Sequence, residues 1–174
     1  MGETNDSAGS DSKRQLLRHT VSTLAYRGGK TLRGAPAGFD TFEAGGEVRT
    51  PIEILAHIGD LLDWALSMAS GEKKWKGSTP ASWSEEVDRF FAALKRFDDF
   101  LASSQPMQSP PEKLFQGPIA DALTHVGQIA MLRRMAGVVD GPRDALTRYT
   151  RPVSGAYYTI PSLEALAMFA PEDE

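Results

Sequence analysis

The spacing of the apolar residues is the feature that most limits how this chain can fold. Four long segments repeat apolar side chains every three to four residues, and clusters of Gly, Pro and Ser separate them. No segment alternates apolar and polar residues with the period of two that is typical of a half-buried strand. The chain is therefore predicted to be all-α, with four helices arranged as a four-helix bundle.

The first two helices have recognisable boundaries. The first is predicted from Asp11 to Arg33, although Gly28 and Gly29 weaken its later part. A long glycine-rich connection follows. Thr50-Pro51-Ile52-Glu53 then has the form of a capping box with proline in the first turn, and Gly71 is well placed to end the second helix.

Ser82 or Ser84 is predicted to cap a third helix, which stops before Pro106. Gly117-Pro118 is predicted to open the fourth helix, which ends near Gly137. With 174 residues the chain fits one domain. We therefore predict a disordered polar arm over residues 1–10, the bundle over 11–139, and a C-terminal extension over 140–174 that packs on the bundle.

Composition narrows the classes of partner. A net charge of −4 argues against a broad nucleic-acid surface, and no apolar run is long enough to cross a membrane. The amino-terminal stretch lacks the apolar core of a signal peptide. The absence of cysteine removes disulfides and thiolate metal sites and suits a reducing cytoplasm. We expect a cytoplasmic protein with a small-molecule substrate, and any metal must be held by His, Asp or Glu.

Two matched segments carry the residues that could do chemistry. In DALTHVGQI, Asp121, His125 and Gln128 share one face of the fourth helix, because spacings of four and three return to the same side. EILAHIGDL, in the second helix, aligns with it without a gap and places His57 on that helix's apolar face. If these helices face each other, His57, Asp121 and His125 form a three-ligand metal site with an open position.

Other interpretations of these residues stay open. A histidine beside an apolar stripe is often a hydrogen-bonded core residue, and Asp121 also suits the dipole of a first helical turn. The capping box already explains Glu53, but this residue is also a further candidate metal ligand. Gln128 is expected to hold a ligand side chain in place by a hydrogen bond without contacting the metal, or to be an alternative ligand itself. Trp64 and Arg133 are candidate substrate-binding residues, whereas no catalytic residue can be assigned.

At AHIGDLLDWAL and DALTHVGQIAMLRR the chain resembles the DinB-like (DinB/YfiT-like) superfamily of metal-binding four-helix bundles. The resemblance covers roughly residues 15–137 and implies a metal site at His57, Asp121 and His125. Asp121 replaces the first histidine of the family's helix-four pair. The resulting set of two imidazoles and one carboxylate suits Zn²⁺, Ni²⁺ or Fe²⁺.

The resemblance also implies a function. Members of the superfamily include thiol-dependent S-transferases that use low-molecular-weight thiols, and many members are homodimers. A metal-activated thiol or water would then be the nucleophile. The alternatives are a metal-dependent hydrolase and a non-enzymatic, stress-related binding or scaffold bundle whose polar pairs fix the helix register.

Overall fold

The computed structural model describes the backbone of residues 3–137, with side chains from residue 11 onward. Within this range the chain is all-helical and contains no strand, as the apolar spacing predicts. The predicted extension over 140–174 lies outside the described residues. No described helix is both long and apolar enough to span a membrane. In chain order the elements are α1 (Glu3–Leu32), α2 (Pro51–Ser70), α3 (Trp83–Ala102), the short α4 (Pro111–Leu114), a π-helical turn (Phe115–Ile119) and α5 (Ala120–Met135).

Helix α1 begins eight residues earlier than the sequence indicates. Residues 3–10, expected to be a loose polar arm, continue the helix in the amino-terminal direction. A helix that is already nucleated adds residues at small cost, and this segment contains no proline to stop it. Apolar periodicity does not detect this segment, because its sequence, ETNDSAGS, contains no repeating apolar residues.

The caps of α2 and α3 follow the sequence signals. Glu53 Oε2 accepts hydrogen bonds from the Thr50 backbone N–H at 2.8 Å and from its hydroxyl at 2.9 Å, which confirms the capping box. Gly71 ends α2 in the left-handed region at φ 97°, a conformation that glycine adopts without a steric cost. Of the two candidate serines before α3, Ser82 is the cap, and Glu85 bonds back to it.

The fourth helical segment differs from the prediction at its start. The chain is already helical from Pro111, and Gly117 is a kink with φ −87° and ψ −105° inside the π-helical turn rather than the first residue of a helix. Pro118 lacks the N–H that a regular helix would use here, which explains the local break. Helix α5 then continues to Met135, with Ala136 as its cap and Gly137 at φ 74°.

The four long helices pack around one apolar core, with α1 and α2 each packed against both α3 and α5. Phe90 and Phe97 of α3 are fully buried at its centre. The close approach of the Phe90 ring explains why a glycine sits at position 28 inside α1, because a Cβ there would collide with that ring. The four-helix arrangement therefore fits the prediction, and it sets α2 directly against α5.

Candidate metal centre

Helices α2 and α5 bring together the three residues that the matched segments single out. His57 Nε2 lies 3.9 Å from Asp121 Oδ2, and His125 Nε2 lies 3.3 Å from Asp121 Oδ1. One ligand atom from each of the three side chains can be chosen so that all lie within 4.8 Å of one another. The expected cluster is therefore present in space as well as in sequence.

Local structure explains why the two residues of α5 point to the same place. Asp121 and His125 are one helical turn apart, and so their side chains stack on one face. Gln128, three residues further on, lies with its Oε1 2.7 Å from His125 Nδ1. Because an amide oxygen only accepts, Nδ1 carries the proton, and the Nε2 lone pair is directed toward Asp121 and His57.

The three side chains differ in exposure. The side chain of His125 is 13% exposed and that of His57 is 22% exposed, whereas that of Asp121 is 48% exposed. The imidazole rings of His57 and His125 meet edge to face, with centroids 4.8 Å apart. The cluster is therefore walled by protein on its histidine side and reaches solvent beside Asp121.

Burial lowers the pKa of His57, and the nearby His125 and Arg49 lower it further, while the charges of Asp121 and Asp60 act in the opposite direction. The net shift is downward, so His57 is neutral at pH 7. Only a neutral imidazole offers a lone pair to a metal ion. The site therefore holds His57 in its ligating form.

Sequence reasoning missed Trp75, which belongs to this neighbourhood. The connection between α2 and α3 carries its indole ring over α2, 5.8 Å from the His57 ring centroid and 5.7 Å from that of Trp64. Trp75 lies among lysines in a polar loop. The one signal in the sequence is that a single tryptophan stands among the lysines of this loop. Its contacts with His57 and Trp64 depend on how the loop folds back over α2, which the sequence pattern does not give.

A second missed feature is an ion-pair cluster around Asp60. Its carboxylate is 5% exposed and accepts bonds from Arg89 Nη2 at 2.5 Å and from Ser78 N–H and hydroxyl at 3.0 and 2.8 Å. Burial alone would raise the pKa of Asp60, but the bonds from Arg89 and Ser78 outweigh it and lower the pKa. Asp63, more exposed, also binds Arg89. Beside these groups lies a cavity of about 320 Å³, which Trp64 also lines.

The remaining candidate residues lie elsewhere. Glu53 is exposed and engaged with Thr50, outside the cluster. Arg133 donates to the backbone carbonyls of Thr31, Arg33 and Gly34 at 2.6–2.7 Å, and so it caps the end of α1. Trp64 contacts the Trp75 ring, which in turn contacts His57.

The ligand geometry is close to that of a chelate. Side-chain atoms about 2.1 Å from a tetrahedral ion lie about 3.4 Å from each other. The separation between Asp121 and His125 already has this value, and that between Asp121 and His57 exceeds it by a distance that side-chain rotation can close. Three protein ligands leave at least one coordination position open.

Comparison with known protein families gives a match over part of the chain. The family model described as "Dyp-type peroxidase, C-terminal" matches residues 120–165, which include α5 and extend beyond the described residues. The matched segment is less than half of the chain, and so it marks a similarity over that segment. No solved structure matches the chain.

This match corrects the expectations that rested on the DinB-like resemblance. The matching family is a different one, and so the assignment to the DinB-like superfamily is wrong. The thiol S-transferase function, with its hydrolase and scaffold alternatives, is wrong for the same reason. The expected cofactor, a Zn, Ni or Fe ion with a low-molecular-weight thiol, is also contradicted, because a peroxidase of this type implies a haem.

The described residues nevertheless do not fit a haem. Peroxidase haem iron is held by a histidine, and His125 is the one histidine in the matched segment. Its Nδ1 is bonded to Gln128, and its Nε2 faces Asp121 with the His57 ring alongside. An iron bound to that nitrogen would place the macrocycle in the space that the Asp121 and His57 side chains occupy. The 320 Å³ cavity, in turn, is not lined by His125.

Proposed function

We propose that the protein binds one non-haem metal ion through His57, Asp121 and His125 and presents its open coordination position to a small molecule. The observation that carries this proposal is the convergence of the three side chains from two helices, with ligand atoms within 4.8 Å of one another. Neither DinB-like ancestry nor thiol chemistry is needed for such a centre.

Two further observations support the proposal. Two imidazole rings and one carboxylate offer nitrogen and oxygen donors together, a set that suits a divalent transition-metal ion. The hydrogen bond from His125 to Gln128 fixes the ring so that its unprotonated nitrogen faces the cluster, an outer-shell arrangement that is common at histidine metal sites. A histidine pair that served only the core would not require a carboxylate beside both rings.

Titration with Co²⁺ tests the proposal, because bound Co²⁺ reports its coordination through visible absorption bands. We expect one Co²⁺ per chain in the parent protein. His57→Ala and Asp121→Ala should each weaken binding by at least about 100-fold, and Gln128→Ala by about 10- to 100-fold. His19→Ala is the matched control, because His19 is exposed on α1 and should leave the affinity unchanged.

A parallel titration with haemin separates this proposal from the function that the family match suggests. The metal centre predicts no specific haemin complex in the parent protein and no difference between parent and His125→Ala. Stoichiometric haemin binding that His125→Ala abolishes would contradict the proposal and support a haem protein. Equal Co²⁺ affinity in the parent and in both ligand variants would also contradict it.

A further inference from the structure

The indole of Trp75 is half exposed although it lies beside the proposed metal centre. Its side chain is 50% exposed, which makes it one of the few large apolar groups on the described surface. It contacts His57 and Trp64 with interplanar angles of 67° and 89°, in edge-to-face geometry. Solvent therefore reaches part of an aromatic ring held next to a metal ligand.

The loop that carries Trp75 is fastened at both ends. At one end, the backbone N–H groups of Lys73 and Lys74 donate to the carbonyl and hydroxyl oxygens of Ser67. At the other end, Ser78 is held by the buried carboxylate of Asp60 and by Arg89 Nη1 at 2.6 Å. A loop without regular structure thus holds its tryptophan in a defined position, which is the condition for using an exposed ring in recognition.

We infer that Trp75 is a recognition surface for the molecule that binds at the metal, and that this molecule carries a flat ring next to its coordinating group. The inference rests on the proposed metal centre. Ring contacts with an indole favour flat apolar partners, and the position of Trp75 against His57 brings it within reach of a ring attached to the coordinating atoms. Asp60 and Ser78 act as positioning residues, because they fix the loop and touch neither metal nor ligand.

Two hydroxamates with the same coordinating group test the inference. Acetohydroxamate and benzohydroxamate are titrated into Co²⁺-loaded protein, and the ratio of their dissociation constants is followed through the Co²⁺ bands. The preference for benzohydroxamate over acetohydroxamate should be about two- to tenfold larger in the parent protein than in Trp75→Ala. This is the range expected for one aromatic pair, about two- to tenfold in affinity. Acetohydroxamate affinity should be the same in both proteins, a result that a purely structural role of Trp75 would not produce.

Asp60→Ala and Ser78→Ala should shift the ratio toward that of Trp75→Ala, whereas Asp63→Ala should not. Asp63 is the matched control, because it shares Arg89 with Asp60 but does not bond to the loop. Equal ratios in parent and Trp75→Ala, with Co²⁺ still bound, would overturn the inference and leave the metal centre standing.

Metal-free protein gives an independent measurement. The packed Trp64 and Trp75 rings should produce a near-ultraviolet circular dichroism signal that both Trp75→Ala and Asp60→Ala remove and Asp63→Ala retains. An unchanged signal in Asp60→Ala would overturn the positioning role. Absence of Co²⁺ bands in the parent protein would instead contradict the metal centre, and so the two failures are distinguishable.

Discussion

Replacing Asp60 by alanine should be one of the most destabilising single changes on α2. Its buried carboxylate accepts three hydrogen bonds, two from Ser78 and one from Arg89. Bonds to a charged group contribute about 1.5–3 kcal/mol each, and removal of one partner of a buried pair costs about 3–5 kcal/mol. Arg89 keeps Asp63 and Glu86 as partners, and Ser78 is exposed and regains water, so we expect a net loss of about 3 kcal/mol.

Urea unfolding at pH 7, followed by far-ultraviolet circular dichroism, measures this loss. Asp63→Ala provides the comparison, because that carboxylate is 42% exposed and binds Arg89 and Arg96 near the surface. Exposed pairs contribute about 0–1 kcal/mol, and so the two variants should differ by about 2 kcal/mol or more. If they lose equal free energy of unfolding, burial of Asp60 does not have the energetic role argued from its contacts.

Further predictions concern acid stability, packing and capping. Because the pKa of Asp60 is lowered, its stabilisation is complete above the ordinary aspartate value of about 4 and is lost as the pH falls through its lower folded value. Asp60→Asn should therefore flatten the part of the stability curve that lies below about pH 4. Gly28→Ala should lower the free energy of unfolding by about 1–3 kcal/mol, because the added methyl group would collide with Phe90. Gly29→Ala meets only ordinary contacts at 3.4 Å or more, and so it should be neutral or stabilising by up to about 1 kcal/mol. Thermal unfolding compares the two variants, and equal effects would contradict the close packing at Gly28. Glu53→Ala should lower the free energy of unfolding by about 1 kcal/mol, because it removes the capping bond to Thr50, and it should leave the Co²⁺ affinity unchanged. A weaker Co²⁺ affinity of this variant in calorimetry would instead place Glu53 in the metal centre.

Local signals in the sequence were sufficient for most of the fold. Helical periodicity predicted the all-α class, and the caps at Thr50, Gly71 and Ser82 lie where the residue types indicate. Such signals act within one or two turns, and so they can be recognised without the tertiary structure. The kink at Gly117 and the early start of α1 were not predicted, because the apolar periodicity of the sequence marks neither of them.

The candidate site was predictable only as far as helical geometry reaches. Helical spacing placed Asp121, His125 and Gln128 on one face of α5. The aligned segment EILAHIGDL in α2 pointed to His57 as the residue opposite them. Helical spacing does not predict contacts between distant parts of the chain. Trp75 reaches His57 across a loop, and Arg133 binds the carbonyls at the end of α1. The family resemblance misled where it went beyond these residues.

The most direct test of the metal centre is a crystal of the protein with Co²⁺, measured at the cobalt absorption edge. We predict one anomalous peak per chain between α2 and α5, about 2.1 Å from Nε2 of His57, Nε2 of His125 and an oxygen of Asp121. At least one further coordination position should be filled by a non-protein ligand. A peak elsewhere on the chain, or none between these helices at saturating Co²⁺, would contradict the account.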